Sequence, residues 1–239
     1  MKKLLLTALG AASTFAMAAP ASAATIELAL ALDASGSIGS ANFNLQRQAY
    51  INALSDTSIL PQDGTIAIGV YRFASSTTTI FSMAEITSGN FSALITALTN
   101  MAYTAGGTNI GSAIDAARAD IVGNGVSSNR QIIDVSTDGI GSMGTSVADA
   151  LGAGIDQINC IGIGAGADCT NVVGGTGSFS LTASNFAAFE SSLRTKLTRE
   201  ITGGAVPEPA TWLMLILGFG AVGGALRASR RQKVNLTFA

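Results

Sequence analysis

The chain has no histidine, one tryptophan, four prolines and two cysteines, and only 12% of its 239 residues are charged. Without imidazole there can be no Ser-His-Asp or Cys-His nucleophilic site, no histidine-held zinc and no imidazole acid–base pair. A phosphate-cradling loop is also missing, because the glycine pair Gly106-Gly107 lacks the lysine that such loops carry. The few charges are unevenly spread. Residues 24–205 hold seven basic and fourteen acidic side chains, a net charge near −7, and the other six basic residues sit at the two ends. Such a balance argues against nucleic acid as a partner and favours cations.

Both ends read as addressing segments. Lys2 and Lys3 precede an apolar stretch from Leu4, and Ala21-Ser-Ala23 offers small residues before a cleavage between Ala23 and Ala24. That is the three-part layout of a secretory signal peptide, placed at residues 1–23. At the other end a linker with Pro207-Glu208-Pro209 (residues 203–209) leads into the uncharged run 210–226, which contains Trp212. The tail 227–239 follows, with Arg227, Arg230, Arg231 and Lys233. The 17-residue run is at the short end for a membrane span, and the basic cluster predicts a cytoplasmic far end. This order resembles the PEP-CTERM sorting signal of Gram-negative bacteria. The resemblance implies a transient stay in the inner membrane, removal near Pro-Glu-Pro by an exosortase-type enzyme, and release to the cell surface or extracellular matrix. A permanent single-span anchor is the alternative.

One domain remains, residues 24–202. Apolar runs at 26–32, 65–73, 77–81, 131–137 and 158–163, with a shorter one at 178–181, predict strands. Between them lie helical stripes: Phe43, Tyr50 and Leu54; Phe91, Leu94, Ile95 and Leu98; Ile110, Ile114, Ala117 and Ile121; Val147, Leu151 and Ile155. A last stripe joins Phe186, Phe189, Leu193, Leu197 and Ile201. Alternation of strand and helix predicts an α/β fold with a doubly wound, mostly parallel central sheet flanked by helices. Cys160 and Cys169 both fall in the exported part, where a disulfide is expected.

The chemistry gathers at strand ends. Asp33-Ala-Ser35-Gly-Ser37 follows the first strand, Thr108 closes the stretch Ala105-Gly-Gly-Thr108, and Asp138-Gly follows the strand ending at Thr137. In an open parallel sheet such ends meet at the carboxyl edge, where ligands bind. Carboxylates and hydroxyls are hard oxygen donors suited to Mg²⁺, Mn²⁺ or Ca²⁺. Asp33 and Asp138 could also be read as a glycoside-hydrolysing pair, but the hydroxyls interleaved between them suit a cation, and no enzymatic activity is expected.

In order and spacing, the three segments resemble the metal-ion-dependent adhesion site of the von Willebrand factor type A (VWA) family, over roughly residues 25–202. The resemblance implies that Ser35, Ser37 and Thr108 touch a divalent cation, with Mg²⁺ the expected ion, while Asp33 and Asp138 act directly or through water. It further implies a surface or matrix adhesion module whose cation bridges to a carboxylate on a surface protein or an acidic exopolysaccharide. A structural envelope protein whose metal only stabilises the fold is the alternative. Residues 38–40, Ile-Gly-Ser, lack the acidic pair that integrin-type relatives use for an adjacent calcium, so no second ion is expected there. Asp134 breaks an otherwise apolar strand, either as an acid supporting the metal site or as one hydrogen-bonded near a sheet edge. Thr108 is expected to open the following helix, leaving backbone N–H groups beside the site.

Overall fold

The structure, a computed structural model, describes residues 24–203. Its order is β1 (Ala24–Asp33), α1 (Gly39–Leu54), β2 (Asp63–Phe73), β3 (Thr77–Thr87), α2 (Phe91–Asn100), α3 (Ile110–Gly123), β4 (Ser128–Thr137), α4 (Ser146–Gly152), β5 (Gln157–Ile163), β6 (Gly174–Gly175), β7 (Ser180–Ala183) and α5 (Phe189–Thr202). The strands form one sheet ordered β3-β2-β1-β4-β5-β6, with β7 also pairing β5. β1 runs parallel to β2 and β4, and β5 runs parallel to β4 and β7. Only β3 and β6 are antiparallel to their neighbours. This is the α/β architecture expected from the alternating pattern.

Strand alternation sorts the core into two layers. Leu28, Leu30 and Leu32 point to the face covered by α1, α2 and α5, where they meet Phe43, Tyr50, Leu94, Leu193 and Leu197. Ala29 and Ala31 point the other way, toward Ile110, Ala113, Ile114 and Ala117 of α3. The small side chains on that face let α3 lie close over the middle of the sheet. Both faces of β1 are therefore buried, which explains its unbroken apolar run.

Several boundaries differ from the sequence reading. β3 extends to Thr87, six residues beyond the apolar run, because its ladder with β2 continues past register shifts as far as the Asp63–Thr87 pair. Phe186 precedes α5, which starts at Phe189, although it still packs on the core. α4 is only seven residues long and ends before Ile155. β6 is a two-residue glycine strand without any apolar signal.

β1 is the switch point of the sheet. From it the chain passes to β2 on one side and later returns to β4 on the other. The carboxyl ends of β1 and β4 thus form the crevice where an open α/β sheet places its ligands. Asp33 ends β1, and Asp138 comes directly after β4.

Candidate metal centre

Asp33, Ser35, Ser37 and Asp138 are linked by hydrogen bonds. Asp33 is fully buried, and its Oδ1 accepts from the Ser35 backbone N–H at 2.8 Å. Its Oδ2 accepts from Thr137 Oγ1 at 2.6 Å. The hydroxyls of Ser35 and Ser37 lie 3.2 Å apart, and Ser37 donates to Asp138 Oδ1 at 2.7 Å. Burial pushes the Asp33 carboxyl above its ordinary range, with bonds from Ser35 and Thr137 pulling it back and the charge of Asp138 adding to the rise.

The loop carrying Thr108 is held against this cluster on two sides. Gly106 O accepts from Gly36 N at 2.9 Å, and Thr108 O accepts from Ser142 N at 2.9 Å. Gly106 adopts φ +104°, and Ser75 Oγ lies 2.6 Å from where its Cβ would stand. Glycine is required there on both counts. The Ser75 hydroxyl then accepts from Gly107 N at 2.8 Å. The five predicted donors therefore lie at one edge of the sheet, Asp33 at the end of β1 and the other four in the loops beside it, with Asp33 and Ser35 buried, Thr108 and Asp138 half-buried and Ser37 exposed.

Thr108 does not open α3. Asn109 caps that helix, its side chain accepting from Ser112 N at 3.1 Å. Gly111 N donates to Ser142 O at 2.9 Å. Two first-turn N–H groups are thus already engaged, and the expectation that they stand free beside the site is corrected. Asparagine caps at least as well as threonine, so the cap moves one residue on and leaves the Thr108 side chain out of it.

Asp134 is likewise corrected. It lies on β4, in the middle of the sheet, with Leu30 and Asn159 as its register neighbours. It faces α5 and pairs with Lys196, and neither residue is exposed at all. It touches none of the five donors and no sheet edge. Two supporting residues were not singled out from sequence. Thr137 holds Asp33, and Gln46 Nε2 donates to the Asp33 carbonyl at 2.8 Å. The position of Thr137 directly before Asp138-Gly is a signal that could have found it, whereas nothing local marks Gln46.

The donor set suits a hard divalent cation. Among the described residues no lysine or arginine pairs with Asp33 or Asp138, so two adjacent carboxylates, one of them buried, lack a countercharge. The Ser35 and Ser37 hydroxyls add neutral oxygens to the group, and the loop that carries Thr108 runs alongside. Among the described residues no group of three or more acids, thiols or imidazoles is placed to hold a metal ion, so any cation here would rely on two carboxylates and neutral hydroxyls.

Cys160 and Cys169 form a disulfide, with Cα atoms 5.7 Å apart. Inside the closed loop, the Cβ position of Gly166 lies 3.4 Å from the Asp138 carbonyl. The bridge thus braces the segment against the strand end that carries Asp138. No helix among the described residues is long and apolar enough to cross a membrane, and the predicted signal peptide and the run 210–226 lie outside the described residues.

Comparisons with known proteins agree with this architecture. The chain belongs to the family described as "Protein of unknown function (DUF1194)", which matches residues 23–205. The PEP-CTERM protein-sorting motif matches residues 205–231, and marks the chain for export to the cell surface or extracellular space. No curated protein matches the sequence. Among solved structures, proximal thread matrix protein 1 from the mussel byssus, in a form with a zinc-occupied MIDAS motif, has a TM-score of 0.61 at 19% identity. That match covers 74% of this chain and 46% of the byssus protein. The pilus adhesin SpaC of Lactobacillus rhamnosus GG gives a TM-score of 0.60 at 14% identity, covering 77% and 31%. A von Willebrand factor type A protein from Catenulispora acidiphila gives 0.58 at 16%, covering 75% and 43%. These likenesses show a VWA-type fold, and the chain spans less than half the length of each of these proteins.

Proposed function

We propose that this DUF1194 protein is an exported, surface- or matrix-associated binding module that uses a divalent cation to capture a ligand carboxylate, and that it is not an enzyme. The observation that carries the proposal is the Asp33–Ser35–Ser37–Asp138 cluster, with Thr108 alongside, at the switch point of the sheet. A bound cation would supply Lewis acidity toward an incoming anionic oxygen. Asp33 and Asp138 would neutralise it, and Ser35, Ser37 and Thr108 would fill further positions without adding negative charge. Mg²⁺ is the expected ion, because the donors are oxygen only and one carboxylate is fixed by two hydrogen bonds.

Exposure also supports a partner. Gly36, Ser37, Gly106, Gly107 and Ile140 are all open to solvent around the cluster, so an extended acidic chain can reach it. Acidic side chains of another surface protein and uronic acids of an exopolysaccharide both present the required carboxylate. The byssus matrix protein and the pilus adhesin have extracellular settings of the same kind, in agreement with the sorting motif. Pull-down from matrix extract with Mg²⁺ and with EDTA, for wild type and Ser35→Ala, tests the proposal. Mg²⁺-dependent capture lost in the variant supports it. Capture that ignores both changes refutes it, and metal binding without any capture would favour a structural role for the ion.

A further inference from the structure

Three ionisable side chains are sealed in the layer between β4 and α5. Asp134, Lys196 and Glu200 each have no solvent exposure. Lys196 Nζ abuts Asp134 Oδ1 and lies 2.5 Å from Glu200 Oε1. The same buried face of α5 supplies Leu193 and Leu197 to the core, and the Phe179 ring centre is 5.7 Å from the ammonium. Asn159 Nδ2 donates to Glu200 Oε1 at 2.9 Å.

As an ion pair this group is poorly made. A buried pair offsets its desolvation only when its remaining lone pairs are hydrogen-bonded. Here Asp134 Oδ2 and Glu200 Oε2 are both buried with no hydrogen-bond partner, as is the nearby Tyr50 hydroxyl. Two carboxylates also share one ammonium. Burial first, and then the charge of Asp134, push Glu200 up to about 7. Near neutral pH it is therefore protonated for a large part of the time, which provides a proton donor beside the Lys196 nitrogen and the Asp134 carboxyl group in a site closed to bulk solvent.

We propose that Lys196 and Asp134 are covalently joined by a side-chain amide, formed within the folded chain with Glu200 as the proton carrier. The steps balance without any oxidant or co-reactant. In the first step a proton passes from the Lys196 ammonium to the Asp134 carboxylate along their direct contact, leaving an amine and an acid. The amine lone pair attacks Asp134 Cγ, forming the C–N bond. Glu200 delivers its proton to the departing hydroxyl as the C–O bond breaks, and takes one back from the nitrogen. One water leaves, and Glu200 ends as it began. Fixed proximity supplies the effective concentration that the same condensation lacks in solution, and positioned proton transfer lowers its barrier. The product replaces two buried charges with one neutral amide.

The bond ties the central strand to the last helix across 62 residues of chain. α5 is followed directly by Gly203 and the segment carrying the sorting motif, so it is the last helix of the domain and the one that fraying from the C-terminal side reaches first. A covalent tie there prevents α5 from peeling away under load or during proteolysis outside the cell.

Intact mass spectrometry of the exported protein, denatured and with its disulfide reduced, provides the test. Wild type is expected to be lighter than its processed sequence by one water, with fragmentation placing Lys196 on Asp134. Lys196→Arg keeps the charge but offers no amine nucleophile, and it should show the full sequence mass. Glu200→Gln retains both bonding partners and should also keep full mass. A wild-type mass equal to that of the sequence overturns the amide, as does a water deficit that persists in Lys196→Arg. A deficit persisting in Glu200→Gln overturns the role given to Glu200.

Discussion

Replacing Asp138 by alanine is the sharpest perturbation of the candidate metal centre. The residue is half-buried in the turn after β4, so its loss should not disturb the core. It removes one of two carboxylates and leaves the Ser37 hydroxyl without its 2.7 Å acceptor. At a separation of about 4 Å, a divalent cation attracts a carboxylate by about 8 kcal/mol at an effective dielectric near 20, and by about 2 kcal/mol in bulk water. Desolvation of both groups consumes much of the larger figure. Taking the smaller as a floor, affinity for Mg²⁺ should fall by at least about 30-fold. Titration calorimetry on the mature protein reads this directly, with far-UV circular dichroism confirming the fold. Asp63→Ala is the control. It removes the same charge from an exposed position at the start of β2, the opposite end of the sheet, and should leave Mg²⁺ affinity unchanged. If Asp138→Ala binds Mg²⁺ as well as wild type, or if Asp63→Ala weakens it equally, the donor assignment is wrong.

Three further outcomes are expected. Removing the Cys160–Cys169 bridge with a double serine substitution should cost about 2–3 kcal/mol on the chain-entropy account. Denaturant midpoints measure that loss, and Mg²⁺ affinity should fall with it because the bridged loop abuts Asp138. For Glu200, the folded pKa of about 7 lies above the ordinary 4.5. Its contribution to stability is therefore fully present below about 4.5 and lost as pH rises through about 7. Denaturation midpoints should fall across that window in wild type, and the fall should be flattened in Glu200→Gln. Burial heads the causes of the shift, so this direction holds whether or not Lys196 and Asp134 have condensed. Finally, the surface-exposed protein should lack residues 1–23 and everything beyond about Pro209, as judged by terminal peptide mapping. Recovery of an intact Trp212–Leu226 peptide would mean a retained anchor.

The strand-end chemistry was legible because it is local and ordered. Asp33, Ser35 and Ser37 lie within five residues, and Asp138-Gly follows an apolar run that could only be a buried strand. The doubly wound sheet followed from alternating periods, and the disulfide from two cysteines in an exported segment. What stayed hidden depends on contacts distant in sequence. Lys196 lies between Leu193 and Leu197 on the core stripe of α5, but its neighbours Thr195, Thr198 and Arg199 are exposed and it was not singled out from sequence. Only the fold shows it turned inward to Asp134. Asn109 was passed over as a cap because Thr108 beside it is an equally good capping residue, and the loop geometry chose between them. β6 escaped notice because two glycines carry no pattern, yet they pair with Gln157 and Ile158.

Metal-bridged capture of a carboxylate is most directly tested by titrating a purified uronic-acid oligomer into the mature protein at fixed Mg²⁺ while monovalent salt is raised, and then repeating the titration in EDTA. The segment 24–205 carries a net charge near −7, so it repels an acidic ligand at long range and attracts it only through the ion. Binding should vanish in EDTA, and rising salt should leave it nearly constant or strengthen it by screening that repulsion. Binding that survives EDTA, or falls steeply with salt at fixed Mg²⁺, would contradict the account.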